Sequence, residues 1–437
     1  MSITYDVVVR YHDDSNDTNY YFQKADDKET YAIADATISQ TINKADTFTF
    51  TIYPDNPNYR LADGATGRLV YIYCYNSYRQ NDTKLVWVGK MTSSTVDINL
   101  KKTVTCQGAL SFLDDTIAPY KNYAVEKPSK LFNELIDNHN YQLALWGDEG
   151  KRTAYEKKIT MNTIQTGDFI GTNTKYTTDF EQSSLDAIMD NIIDNYGGYL
   201  HISYKDEESS SSSSSSGDIE VGVSGDYVLL NYLQKSSTAI NQKLEYGDNM
   251  IDFSYTENYV AYSHFLPLGA TRTGYEQRVM LDGSIGGLYE FVRTPSTYGM
   301  RFGSYVFNEA EDKQTLSKLY ASYKSQKLYP EEITATAKVY DKGMTSTSYP
   351  RFFVGNVVNI YSKPHNFSKN MQITGMKYSL DNPTVKELTF GTTEKTFMSN
   401  YLEDLYSKSK TKVNNSMAKS GLMQNVIKEI KKATSSS

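Results

Sequence analysis

Residues 67–73 read GRLVYIY, and residues 355–361 read GNVVNIY. Both fit G-x-[LV]-V-x-I-Y, and the alternation of Val70 and Ile72 with Tyr71 and Tyr73 has the two-residue period of a strand. The residues downstream of each copy matter more than the match. After the first, VGK (88–90) leads to TVTCQG (103–108); after the second, TGM (374–376) leads to ELTFG (387–391). The succession of strand, glycine-bearing strand and glycine-ended strand therefore occurs twice. Its marker positions are Gly67, Val70, Ile72, Tyr73, Gly89 and Gly108 in the first copy. In the second they are Gly355, Val358, Ile360, Tyr361, Gly375 and Gly391. One such match is common among buried strands; two with matching successors argue for one β-domain used twice.

Outward from these markers, residues 1–115 keep the strand period. TYDVVVRY (4–11), YAIADATISQTI (31–42), TFTFTIY (47–53), KLVWVGKMTSSTV (84–96) and KKTVTCQGALSFL (101–113) alternate without helical spacing. An antiparallel barrel or sandwich is expected there, interrupted by the turn cluster PDNPNY (54–59). Helical signals then appear. Pro128 opens KPSKLFNELIDNH (127–139), and SSLDAIMDNIIDNYGGYL (183–200) carries a serine cap, an apolar stripe and a glycine stop. DKQTLSKLYASYKSQKLY (312–329) reads as a further helix, ended by Pro330.

The pattern is α+β and β-rich overall: a β-domain over 1–115, an α+β middle, strand patterns again from 331 to about 395, and a helix-leaning C-terminal tail at 396–437. Eight serines (209–216) lie between the strand patterns YLHISY (199–204) and IEVGV (219–223). They read as the disordered tip, 205–218, of an expanded hairpin rather than as a domain linker, since closing a longer loop adds little entropy.

Composition narrows the function. Tyr outnumbers Phe 38 to 17, which favours half-buried sheets and contact surfaces. The net charge of −7 comes without a basic stripe, so specific nucleic-acid binding is not expected. The two cysteines, Cys74 and Cys106, form no disulfide framework and suit assembly in a reducing cytoplasm. Neither a secretory signal nor an apolar run of membrane-spanning length is present, so a soluble protein is expected.

Motifs for catalysis are missing. The five histidines are scattered without metal-ligand spacing. There is no nucleophile elbow and no phosphate-binding loop, and DGSIGG (282–287) precedes a strand-like LYEFV. Acidic doublets such as Asp114–Asp115 and Glu207–Glu208 lie in polar turns or at strand ends. No catalytic residue, cofactor or metal is expected. Tyrosine clusters at 71–78 and 255–262 suit sheet faces and interfaces, or a carbohydrate-stacking surface.

Several stretches together resemble the bacteriophage tail hub family, the N-terminal structural region of tail-associated lysins or prophage endopeptidase tail proteins. They are ATISQTINKADTFTFTIYPDNPNY (36–59), VWVGKM (86–91), TCQGALSFLDD (105–115), the GGYL-ended helix within 180–204, the PLGA segment within 244–270, and 354–391. Their order carries the resemblance. It implies two related antiparallel β-barrels with an α+β portion inserted between barrel elements: a first barrel at 1–115, an α+β domain at 116–241 and 271–330, a second barrel at 242–270 and 331–395, and a helical C-terminal tail at 396–437. It also implies a non-enzymatic homotrimer that closes the distal end of a tail tube and gates DNA passage. Implied partners are a distal tail protein or tube ring, a baseplate, fibre or spike component at the C-terminal tail, and a tape measure protein; DNA would pass without specific binding. The implied location is the virion tail tip, assembled in the host cytoplasm. Many relatives continue into a peptidoglycan-cleaving or receptor-binding module, whereas this chain stops at Ser437. A cell-wall-degrading tail lysin is thus one alternative, and a glycan-binding adhesion module a second.

Overall fold

Val7 and Val9 enter one core while Val8 enters another, and this alternation organises the computed structural model of the chain. The structure describes residues 2–13, 16–63, 68–79, 82–145, 159–164, 174–178, 181–205, 227–258, 264–271, 278–281, 290–291, 302–307, 310–327 and 332–391. They fall into two compact units, one formed by 1–256 with 334–391 and a second that includes 257–333.

In the larger unit the N-terminal strands are β1 (Ile3–Asp13), β2 (Asn16–Gln23), β3 (Ile33–Thr41), β4 (Thr47–Ile52), β5 (Leu69–Asn76), β6 (Asp82–Val96) and β7 (Lys102–Gly108). They pair in the order β3-β4-β7-β6-β5-β1-β2, every neighbour antiparallel. One face of each strand converges on a core of Val7, Phe22, Ile38, Phe48, Phe50, Ile72, Trp87 and Val104. The Phe48 ring lies 5.2 Å from Phe50 and 5.5 Å from Trp87. Such β-branched and aromatic side chains fit a pleated, two-sided layer.

The C-terminal strands continue the same sheet. They are β13 (Leu244–Glu245), β14 (Met250–Asn258), β19 (Glu332–Tyr340), β20 (Val357–Ser362), β21 (Phe367–Ser379) and β22 (Val385–Phe390). The path β14-β19-β22-β21 joins the N-terminal strands where β21 pairs antiparallel with β3, from Gly375↔Thr41 to Ser379↔Thr37. With β20 and β13 branching from β21, the sheet has 13 strands. The β-rich expectation therefore holds, as one large sheet that is antiparallel from β19 through to β2, with β20 antiparallel to β21 and a parallel β13–β20 pair.

Between the strand sets lie β8 (Lys121–Glu126), β9 (Ile159–Ile164), β10 (Thr174–Thr178), β11 (Tyr199–Lys205) and β12 (Tyr227–Leu233), with helices α1 (Pro128–Ala144) and α2 (184–196). In α2, Ser183 accepts from the Asp186 amide while Asp186 reaches back to the Ser183 amide, a capping box. Its middle turn, Met189–Ile193, is π-helical. Leu131, Phe132 and Leu135 of α1 and Leu185, Ile188 and Ile192 of α2 pack on Val8, Leu69, Tyr71 and Val88, the outer face of the N-terminal strands. β11 pairs antiparallel with β12, from Tyr199↔Leu233 to Lys205↔Tyr227. The strand opposite YLHISY is thus YVLLNYL, not the IEVGV expected from the sequence; the serines and residues 219–223 lie outside the described residues, as does the expected helical tail.

The smaller unit contains β15 (His264–Thr271), β16 (Arg278–Met280), β17 (Glu290–Phe291), β18 (Phe302–Val306) and helix α3 (Lys313–Lys327). Phe265, Val279, Phe307, Leu316 and Tyr320 form its core. β15, placed by the sequence reading with the second barrel, pairs here with β16, β17 and β18. The Phe265 ring lies flat on Tyr320 of α3, at 5.7 Å and 1° between planes.

Candidate assembly surfaces

The marker residues occupy packed positions. Val70 and Ile72 enter the first core, and Tyr73 packs on the helical side. Val358 and Ile360 are buried, while Tyr361 keeps part of its ring in solvent. Gly89 and Gly108 are directly opposed on β6 and β7. A Cβ on Gly89 would sit 2.2 Å from the Gln107 carbonyl oxygen and 2.3 Å from the Trp87 ring, so the indole lies where a side chain would be. Gly355 has φ +97°, and its missing Cβ leaves room for the Tyr199 ring of β11. Gly375 opposes Thr389 on one side and Thr41 on the other, and Gly391 falls beyond the last β22 pair. The structure thus brings Gly89 and Gly108 together but not Gly375 and Gly391. Gly67 lies outside the described residues.

Polar chemistry in the larger unit is buried and structural. Asp341 Oδ2 lies 2.7 Å from Lys386 Nζ, both carried by solvent-excluded side chains. The Gln242 amide and the Gly343 N–H donate to Asp341 Oδ1, the Phe352 N–H donates to Oδ2, and Lys386 also donates to the Phe352 carbonyl. Burial holds the Lys386 amine below its usual range while Asp341 pulls it back up. His139 Nδ1 is hydrogen-bonded to the Thr116 hydroxyl at 2.8 Å, and that hydroxyl to Ser184 at 2.9 Å. All three residues are closed to substrate. Nothing in the spacing of Thr116, His139 and Ser184 marks this cluster in sequence.

Cys74 and Cys106 are both buried, and burial raises the Cys106 thiol. A cavity of about 50 Å³ lined by Gln40, Asp46, His201, Tyr204 and Phe353 has room only for water. Among the described residues no group of three His, Cys, Asp or Glu is placed to hold a metal. No described helix is long and apolar enough to cross a membrane.

The surface is more telling. PDNPNY closes the gap between the ends of the N-terminal strand set. The Asn56 amide donates to the Phe22 carbonyl of β2 at 2.8 Å and to the Ala32 carbonyl ahead of β3 at 3.1 Å; the Asn58 amide donates to the Tyr21 carbonyl at 2.8 Å. An edge strand's free carbonyls are thereby covered.

From the same turn, the Tyr59 hydroxyl donates to the Leu100 carbonyl at 2.6 Å, at the tip of the β6–β7 hairpin. Lys102 stands over the Tyr59 ring at 4.2 Å and donates to its carbonyl, and burial lowers its amine. At the tip, Asp97 Oδ1 accepts from the Asn99 and Lys101 amides, and Leu100 adopts φ +61°. This fixed tip presents Val96, Ile98 and Leu100 to solvent, with Ile98 97% exposed.

A second apolar face flanks the end of α1. Asn138 and Gln142 turn their amides to the Ile117 peptide. Both donate to its carbonyl, and Gln142 Oε1 accepts its N–H. The polar side chains are spent on the backbone while Ile117, Tyr120, Tyr141 and Leu145 stand in solvent, each more than half exposed.

A family model described as prophage endopeptidase tail matches residues 289–400, which include β17 to β22. Two solved structures have similar folds. The tail protein from Neisseria meningitidis MC58 has a TM-score of 0.53 at 13% identity, covering 89% of this chain and 97% of its own. The 43 kDa tail protein of prophage MuSo2 from Shewanella oneidensis has a TM-score of 0.55 at 10% identity, covering 89% and 98%. At such identities the likeness is one of fold. No curated protein matches the sequence. The resemblance to prophage tail proteins is borne out: residues 289–400 match the prophage tail model, and the chain has the fold of prophage tail proteins.

Proposed function

We propose that the chain is the structural hub at the tip of a phage or prophage tail, a homotrimer that closes the tube and lets DNA pass. The observation that carries this is the unbroken sheet. Its N-terminal and C-terminal strand sets each contain a glycine-marked succession, β5-β6-β7 and β20-β21-β22, and they meet at the β21–β3 pair. We read the sets as two related barrels. Three copies then offer six similar units, which reconciles a three-fold hub with a six-fold ring. The tube ring or distal tail protein would dock there, and a baseplate, fibre or spike component would join at 396–437. A net charge of −7 favours a lumen along which DNA slides, because phosphates are repelled rather than held.

The role needs no cofactor, metal or catalytic residue. Purified protein is expected to form trimeric rings or cups in negative-stain images, and a clean monomer at high concentration would overturn the proposal. The family's endopeptidase name gives the lysin reading its own test: cell-wall zymography, in which clearing by this chain alone would make it an enzyme.

A further inference from the structure

The β6–β7 tip and the α1 face lie at opposite ends of β7. The tip precedes Lys102, and the strand runs through Gly108 into the 3₁₀ helix Ala109–Asp115, which leads to Ile117. Seven strand residues alone span roughly 23 Å. Neither apolar patch can therefore cover the other within one chain, and each remains exposed. Both are held rigidly, the tip by Asp97 and Tyr59 and the face by Asn138 and Gln142. Rigid apolar side chains in water suit contact with a partner, because little ordering entropy remains to be lost on docking.

Charge points the same way. Asp137, one helical turn before Tyr141, has no ion pair among the described residues, and Lys101 at the tip meets Asp35 only at 3.8 Å. Area bounds the contact. Three apolar side chains on a tip offer on the order of 300 Å². A stable pair buries about 800 Å² per partner. One tip is thus the anchor of a larger contact, and because each copy carries both a tip and a face, the same contact can join two copies and repeat around a closed ring.

We propose that the hairpin tip of one copy seats on the Ile117–Tyr141–Leu145 face of the next, as the head-to-tail contact of the homotrimer; this rests on the hub reading. Ile98→Asp removes the knob and Tyr141→Asp the seat. Because both side chains are exposed on the single chain, both full-length variants are expected to keep the parent's circular-dichroism spectrum and a cooperative thermal transition, whose midpoint falls only by what the lost association contributed. Native mass spectrometry should find the parent trimeric and each variant self-associating at least about tenfold more weakly. Mixing the two variants supplies one intact tip and one intact face, so a heterodimer is expected that cannot close a ring. Variants that remain trimeric, or a mixture that stays monomeric, would overturn the contact and leave the homotrimer standing. A monomeric parent would overturn both.

Discussion

Burial at the small cavity pushes the Asp46 carboxyl up to about 6, against the pull of the Gln40 amide that donates to it at 2.7 Å. His201, across the cavity, is held below its usual range by burial. A carboxyl raised on folding contributes its full stability while protonated, below about pH 4, and loses it as pH rises through about 6. Asp46→Asn keeps an acceptor for Gln40. It is expected to melt with the parent near pH 4 and to be more stable near pH 7.5 by on the order of 1–2 kcal/mol, less than the full shift because Asp46 is half-buried and keeps some surface in solvent. Melting curves at the two pH values check this, and equal stability near pH 7.5 would sink it. Asp46 is invisible in sequence because it sits in an ordinary polar turn. Gly89 is visible by spacing, but its reason, the Trp87 ring lying against it, needs the fold.

At the scale of elements, the PDNPNY turn acts as a side-chain substitute for a missing strand pair. Asn56→Ala removes both carbonyl caps at once, and buried acceptors left unpaired cost about 1–3 kcal/mol. Urea titration is expected to show that loss, together with faster amide exchange along β2; an unchanged midpoint would mean water replaces the amide without cost. Elements with a strong local period are legible. Pro128 does open α1, and the Ser183 cap and the glycines bracket α2. The partner of β11 is misread from sequence because IEVGV and YVLLNYL both alternate, and only pairing decides between them. The candidate contact surfaces are not legible either. A tip such as DINLK looks like any turn until its fixed geometry and its exposed Ile98 are seen.

For the whole molecule, duplication in the sequence points to two barrels, and the structure has one continuous sheet of 13 strands. The smaller unit enters after β14 and returns at β19, which are neighbours in that sheet, with the Ser254 and Thr336 hydroxyls 2.7 Å apart. Replacing 259–331 by a short glycine-rich linker is therefore expected to leave a cooperative thermal transition for the larger unit, as insertions with adjacent ends allow. Loss of that transition would show that the insertion completes the larger fold. The placement of β15 escapes sequence reading because PLGA fits either sheet; the Tyr320 ring of α3 decides it.

The β21–β3 seam has a mechanical meaning. Five opposed residue pairs are flanked by the Ile42 amide donating to the Thr374 carbonyl and the Leu380 amide donating to the Ala36 carbonyl. A pull along these strands loads all those bonds side by side, in shear, while a pull across them peels one at a time. Tension directed along β3 and β21 would thus pass from one strand set to the other as through a riveted lap joint, with no hinge to absorb it.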